Sequence, residues 1–389
     1  MANDAVLILV AGSLLAMGVV ASLAAARLRF PALAFFLGLG MAIGTDGLGW
    51  IDFDNYRLTR LIGSIALVLI LFEGRLATGF QRIRPVLRPA ISLALLATVA
   101  TAAIVGIAAS ALFDFSLLEG LLVGAILSGT DGAAVFALLR GTRLPERLAL
   151  TLEGEAGLND PVAVLLVLTF IELIGDPDYS ALDVAIFFLR ELALGAVIGV
   201  AVGALAVHGL RSLRSGPAGT SLVASFAAAA IAFGLAGAVH GSGFLAVYLT
   251  GLAIGSIELP QKAALDAFHE GLAAVAEIGM FLALGLLVFP SQLGAILLEG
   301  TLLALIVAFV ARPLAAAAAT FAERFTARER LLLGWTGLRG AVPVVLATFP
   351  VIAHIPRSVE FFNIFFFVVL LSTLIQGSTV ETLARRLHL

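Results

Sequence analysis

The sequence predicts an all-α polytopic membrane protein, because its composition, its apolar runs and the placement of its charges all favour that fold class. Of its 389 residues, 61% are hydrophobic and 13% are charged, and the mean hydropathy is +1.11. A soluble domain carries about a quarter charged residues. Runs of about 20 mainly apolar residues, the length that a helix needs to cross a bilayer, follow one another along the chain.

Composition also excludes several kinds of chemistry. The chain has no cysteine, so it has no disulfide, thiolate metal site or thiol catalysis, and its five scattered histidines do not favour a transition-metal cluster. The N-terminal segment carries Asp4 and no positive charge before a long apolar run, which favours an uncleaved first span over a signal peptide. We expect a protein that is not an enzyme, needs no cofactor and binds no nucleic acid.

Thirteen predicted spans result when the chain is divided at charges, polar turns and Gly/Pro pairs. Most of the 23 Lys and Arg residues follow odd-numbered spans, whereas the connections after even-numbered spans are acidic or neutral. Because cytoplasmic loops are enriched in Lys and Arg, the N-terminus is predicted outside and the C-terminus in the cytoplasm. The approximate limits of the spans are 4–26, 30–46, 57–76, 86–113, 117–140, 146–175, 181–210, 218–238, 241–257, 263–289, 293–321, 328–353 and 358–384.

Two of these spans contain polar, glycine-rich stretches that predict discontinuous helices. The fifth span contains SGTDGAAVF at 128–136, and the twelfth contains TGLRGAVPVV at 336–345, where Pro343 lacks a helix donor. Seven spans separate them, so the two helices run in opposite directions. Spans 1–6 and 8–13 would then form two inverted six-helix repeats with span 7 as connector, an arrangement typical of transporters whose site lies at crossing discontinuous helices.

A cluster of polar residues interrupts the apolar sequence of the sixth span. Glu153, Glu155, Asn159 and Asp160 lie between residues 150 and 166. Each ionisable group at bilayer depth costs about a few kcal/mol, so the cluster indicates a functional site. Helical geometry puts Glu155 and Asn159 on one face and Asp160 about 140° from Glu155, so these two acids do not serve one pocket directly. Glu153 lies nearly in line with Asp160, toward the cytoplasm.

The charges of the two interruptions predict how the acids are used. Paired helix N-termini are positive and paired C-termini negative, so we expect Asp131 and Arg339 to compensate the charge of the broken helices. Arg339 is the only basic residue that we place at mid-membrane, and Glu155 is its predicted partner in a structural ion pair. Asp160 then remains to hold either a proton or an alkali cation, with Thr130 and freed carbonyls as further ligands.

Several alternatives remain open from the residues alone. Glu73, near the cytoplasmic end of the third span, lines a cytoplasmic funnel with Glu153 or extends to the membrane surface beside Arg75. A sodium-coupled organic-anion symporter with a similar inverted repeat is the alternative function. An intramembrane hydrolase, suggested by HGSG at 240–243, is disfavoured because a histidine two residues before a serine is badly placed to be its base.

Several motifs carry a family resemblance. They are TDGAAVF at 130–136, the pattern of Glu155, Asn159 and Asp160, FLALGLLVFPS at 281–291 and GLRGAVPVVLATFP at 337–350. Together they resemble the NhaP branch of the monovalent cation:proton antiporters. The last two, with SGTDGAAVFALLRG at 128–141, are most similar to the bacterial potassium/proton antiporter subgroup.

The resemblance implies an NhaA/NhaP-like fold and a homodimer in the bacterial inner membrane. Each protomer would have a core subdomain, 86–175 and 293–389, that moves like an elevator against a dimerisation subdomain, 1–85 and 176–292. Asp160 would be the exchanging carboxylate, with Asn159 as its neighbour and Thr130 as a near-site ligand, and the transported Na⁺ or K⁺ would bind at Asp160.

The resemblance also implies electroneutral exchange, because Asn159 stands where the electrogenic sodium/proton branch carries a second aspartate. Two departures from the family pattern are visible. Ala156 stands where relatives often carry serine, which removes one hydroxyl ligand. The sequence ends at Leu389 without the cytoplasmic regulatory domains typical of the potassium subgroup, so it is either a minimal member or a truncated one.

Overall fold

The structure is a computed structural model that describes residues 2–28, 31–130, 144–176, 178–213 and 217–389. Within these ranges every regular element is a helix and there is no β-strand. By length and composition, eight helical stretches of the described chain are able to cross a membrane, and shorter apolar helices accompany them. The predicted all-α membrane class is therefore confirmed.

The described helices fall into two groups, long rods and segmented helices. The long rods are Ala2–Leu28, Tyr56–Ile83, Glu146–Gly175, Ala181–Ser212, Ala218–Ala238 and Lys262–Leu286. The shorter or segmented helices are Ala32–Ile43, Leu87–Ser92, Thr98–Leu112, Leu117–Ile126, Gly243–Gly255, Pro290–Leu293, Leu297–Ile306, Arg312–Ala319, Ala327–Trp335, Ala341–Leu346, Thr348–Ile352, Ser358–Ser372 and Ser378–Arg386.

Local sequence explains where two of the segmented helices begin. Ser116 accepts a hydrogen bond from the backbone N–H of Glu119, and the Glu119 side chain accepts one from the N–H of Ser116. Thr326 and Glu329 form the same reciprocal pair before the helix Ala327–Trp335. Such a capping box satisfies two backbone donors that a helix N-terminus otherwise leaves unpaired.

Glycine allows the helix Tyr56–Ile83 to pack closely against its neighbour Gly243–Gly255. Gly79 has φ +68°, and a Cβ atom there would lie 2.8 Å from the carbonyl oxygen of Gly255. A side chain at Gly255 would in turn meet the backbone of Leu76. Small residues at such contacts let membrane helices approach closely enough for van der Waals packing to hold them together.

The helix Glu146–Gly175, which we call the site helix, lies among several other elements. It packs against Leu117–Ile126 and Leu87–Ser92, and it also contacts Tyr56–Ile83 and Gly243–Gly255. It therefore has neighbours from both of the subdomains that the family resemblance implies.

Candidate functional site

The site helix carries the predicted polar cluster in a buried position. Glu155, Asn159 and Asp160 are almost fully buried, and Asp160 is only 3% exposed. Pro161 lies inside the helix and has no N–H, so the carbonyl of Gly157 lacks its usual helical donor. Buried side-chain oxygens and a freed backbone carbonyl are thus close together within two turns of one helix.

The first interruption, which follows the helix Leu117–Ile126, contacts the site helix directly. Gly129 and Thr130 have no regular structure, and the hydroxyl of Thr130 accepts a hydrogen bond from Nδ2 of Asn159. The Oδ1 atom of Asn159 accepts no hydrogen bond from any residue in the described ranges. The structure therefore brings Thr130 to the residue that precedes Asp160. Asp131, predicted to compensate helix charge here, lies outside the described residues.

The second interruption, residues 336–340, places Arg339 at the end of the first. Arg339 is fully buried, and its Nη1 donates to the carbonyl oxygens of Ser128, at 2.8 Å, and Gly129, at 2.7 Å. Carbonyls just beyond a helix C-terminus have no intrahelical donor and carry partial negative charge. The guanidinium supplies both a donor and a positive charge to this helix end. The hydroxyl of Thr373 donates to the carbonyl of Arg339 at 2.9 Å.

The structure gives Glu155 an ion-pair partner other than the predicted Arg339. The carboxylate of Glu155 instead pairs with Nη2 of Arg312, and both side chains are buried. Arg339 donates to carbonyls of the first interruption, while Arg312 crosses the second one. A Cβ atom at Gly337 would lie 2.7 Å from Cδ of Arg312, so glycine leaves room for that side chain.

Sequence reasoning misses Arg312 because the charge pattern groups it with the Lys and Arg residues at the cytoplasmic ends of odd-numbered spans. The signal was present, since apolar residues continue for two turns after Arg312, and the helix Arg312–Ala319 begins with it. Arg339 is therefore not the only fully buried arginine in the described part of the chain. Two buried arginines, Arg312 and Arg339, lie in the same region as the buried carboxylates of Glu155 and Asp160.

A second polar group, around Glu153, lies nearly two helical turns before Asn159, on the side predicted to face the cytoplasm. The hydroxyl of Thr78 donates to Oε2 of Glu153 at 3.3 Å, and Glu153 and Glu73 are both half-buried. Arg75 was expected at the membrane surface but is only 1% exposed. Its guanidinium carbon lies 5.0 Å from the centre of the Tyr248 ring.

These features define a class of protein before any comparison is made. A buried carboxylate and carboxamide lie beside two interrupted helices in an apolar helical bundle. Ionisable residues at membrane depth and discontinuous helices are the marks of a secondary transporter.

Residues 12–386 match the transmembrane sodium/hydrogen exchanger family, and the chain belongs to it. It is 43% identical over 386 residues to the K(+)/H(+) antiporter NhaP of Alkalimonas amylolytica, covering 98% of this chain and 67% of that protein. It is 40% identical over 380 residues to the K(+)/H(+) antiporter NhaP2 of Shewanella sp. strain MR-4, covering 97% and 66%. The chain thus spans about two thirds of the length of these relatives.

A relative of similar length and a solved structure are also similar to the chain. The Na(+)/H(+) antiporter NhaH of Halobacillus dabanensis is 26% identical over 399 residues, covering 96% of each chain. The structure of the sodium proton antiporter MjNhaP1 from Methanocaldococcus jannaschii at pH 8 matches with a TM-score of 0.83 and 24% identity, covering 98% of each chain. The fold is therefore that of an NhaP antiporter, and the chain is a transporter rather than an enzyme.

Proposed function

We propose that the protein exchanges a monovalent cation for a proton, with Asp160 carrying one or the other. The observation that carries this proposal is the burial of Asp160 directly after Asn159, which is hydrogen-bonded to Thr130 of the first interruption. A single carboxylate that holds either a proton or a cation couples the two fluxes, because occupancy by one excludes the other. With asparagine as its neighbour, Asp160 exchanges one proton per cation, and transport is electroneutral.

The residues around Asp160 suit an alkali cation. Alkali cations are bound by oxygen atoms that replace their water shell. Besides the carboxylate, Oδ1 of Asn159 accepts no hydrogen bond in the described part of the chain, and Pro161 frees the carbonyl of Gly157. The hydroxyl of Thr130 has a lone pair beyond the one that Asn159 uses. No cofactor is needed besides the transported ions.

Potassium is the cation that the comparisons favour. The relatives that are 43% and 40% identical are named as K(+)/H(+) antiporters, whereas the relative named as a Na(+)/H(+) antiporter is 26% identical. We therefore propose K⁺ as the substrate, with Na⁺ as the competing candidate.

Two inverted repeats within thirteen spans are supported by a constant spacing. The capping residues Ser116 and Thr326 lie 210 residues apart, as do their partners Glu119 and Glu329. The 3₁₀ turns Arg84–Val86 and Gly294–Ile296 are also 210 residues apart. Each lies at the start of the helical stretch that comes before Ser116 or Thr326 in the chain. An odd number of spans within that offset reverses the direction of the second copy, as an inverted repeat requires.

We propose that alternating access uses these repeats. The core, 86–175 and 293–389, moves against the scaffold, 1–85 and 176–292, which also forms a homodimer in the bacterial inner membrane. The excess of Lys and Arg after odd-numbered spans supports an external N-terminus and a cytoplasmic C-terminus. The contact of Glu153 with Thr78, on the helix that carries Glu73, supports a role for both acids on the cytoplasmic approach.

Exchange in proteoliposomes tests the proposal. A pH gradient is imposed, and its relaxation on addition of Li⁺, Na⁺, K⁺ or Rb⁺ is recorded at several pH values. We expect saturable exchange in the wild-type protein and none in Asp160→Asn, which keeps the shape of the side chain and removes its charge. Asp114→Asn, a change of an exposed acid outside the helices, is the matched control and should exchange normally.

Wild-type rates in Asp160→Asn would refute the assignment of that carboxylate. A protein that responds only when an organic anion is supplied with Na⁺ would instead support the symporter alternative.

A further inference from the structure

Arg75 is a buried cation whose position the exchange mechanism does not yet use. It lies on the helix Tyr56–Ile83 and is among the largest fully buried side chains in the described chain. Its guanidinium stacks on Tyr248, and a Cβ atom at Gly251 would lie 2.9 Å from its own Cβ. Two helices therefore hold this side chain in place. Burying an arginine is costly, so a position of this kind calls for a physical reason.

The guanidinium of Arg75 lies against the site helix close to Asp160. A Cβ atom at Gly157 would be 3.2 Å from Cζ of Arg75 and 2.9 Å from Cδ2 of Tyr248. Residues three apart on a helix are surface neighbours, with Cβ atoms about 5–6 Å apart, so Gly157 and Asp160 are adjacent. The guanidinium of Arg75 therefore lies beside the turn of the site helix that carries Asp160, and these spacings place a permanent positive charge within about 10 Å of the carboxylate that we assign to ion exchange.

We propose that Arg75 sets the affinity of the exchange site for its cation. The inference rests on the proposed function. A carboxylate in a largely dry site attracts an alkali cation strongly, which would slow its release. A fixed guanidinium of the same sign as the cation opposes this attraction. Over a distance of up to about 10 Å, with an effective dielectric constant of about 20, Coulomb's law corresponds to a weakening of cation binding on the order of tenfold.

The location of Arg75 on a separate helix adds a consequence for transport. Asp160 lies on the site helix, within the proposed core, whereas Arg75 lies within the proposed scaffold. Movement of the site helix relative to Tyr56–Ile83 changes the distance between the two charges. The cation affinity of the site therefore differs between its two orientations, which favours release on one side of the membrane.

The test measures the apparent KM for K⁺ and Na⁺ in proteoliposomes. Removal of a positive charge strengthens the binding of protons and of cations alike. The measurement is therefore made at a pH alkaline enough that protons no longer compete with the cation for the site. In Arg75→Gln we expect KM to fall about tenfold, or about 1.4 kcal/mol. The maximal rate falls with it if cation release becomes limiting.

Matched variants separate charge from shape. Arg75→Lys keeps the charge, and Tyr248→Phe keeps the ring while removing its hydroxyl, so both should retain the wild-type KM within about twofold if charge is the cause. Arg75→Met, which keeps the apolar stem, is the second neutral variant if the glutamine variant is not recovered folded, and its KM should also fall.

A folded neutral variant with unchanged KM would overturn the inference, and so would an equal fall in Arg75→Lys, which would indicate a packing role. In either case, the proposed function still holds if the wild-type protein exchanges cations for protons and Asp160→Asn does not. A wild-type protein without cation–proton exchange would instead remove the proposed function itself.

Discussion

Removing the charge of Arg312 should destabilise the protein strongly, because it leaves the carboxylate of Glu155 buried without its partner. Both side chains are buried, and they form a direct ion pair. Breaking such a pair by removing one member costs about 3–5 kcal/mol. We expect Arg312→Met, which keeps an apolar stem of similar length, to lose about this much of the free energy of unfolding.

The decisive measurement is a pair of double-mutant cycles. Adding Glu155→Gln to Arg312→Met removes the uncompensated charge and should recover about 2 kcal/mol or more. Adding it to Arg339→Met should recover little, because the guanidinium of Arg339 donates to the carbonyls of Ser128 and Gly129. Losing these charge-assisted hydrogen bonds costs about 1.5–3 kcal/mol each, and this cost is the same with glutamate or glutamine at position 155.

Equilibrium unfolding in mixed detergent micelles provides the six free energies of unfolding that the two cycles together require. The reading of the site is refuted if Glu155→Gln rescues Arg339→Met more than it rescues Arg312→Met. That outcome would mean that Glu155 is paired mainly with Arg339 in the membrane protein.

Two further changes test the site from other directions. Gly337→Ala places a methyl group 2.7 Å from Cδ of Arg312, so we expect a loss of about 1–3 kcal/mol by overpacking, measured by the same unfolding assay. Gly271→Ala, on a helix surface with no atom within 4 Å of the new Cβ, should instead be neutral or stabilising and is its control. Asn159→Asp adds a second carboxylate next to Asp160, so exchange should become electrogenic and respond to an imposed membrane potential; exchange that is still insensitive to potential would contradict the role given to Asn159.

Much of the fold follows from the sequence alone. Apolar runs of bilayer length predict spanning helices because an unpaired backbone group in lipid is too costly for any open structure. The second predicted interruption, at residues 336–345, is confirmed, since 336–340 are irregular between two helices. The burial of Asp160 also agrees with expectation, because ionisable groups in a spanning segment face the protein interior.

The pairing of charges could not be derived in this way. Arg75 lies near the end of the predicted span 57–76, and Arg312 lies nine residues before the end of the span 293–321. The sequence does not show whether an arginine at such a position reaches the membrane surface or is buried. Helical periodicity tells which residues share a face of one helix but not which neighbour covers that face. Of the predicted interruption at 128–136, only the part up to Thr130 lies within the described residues.

The sequence by itself determined the class of fold, the burial of the acidic cluster and the residue types of the proposed exchange site, because these depend on the free energy of placing each group in lipid. Only the tertiary structure decided that Glu155 pairs with Arg312, that Arg339 caps the first interruption, and that Arg75 stands beside Gly157. These contacts join residues far apart in the chain. They depend on how the helices cross, which no single helix specifies.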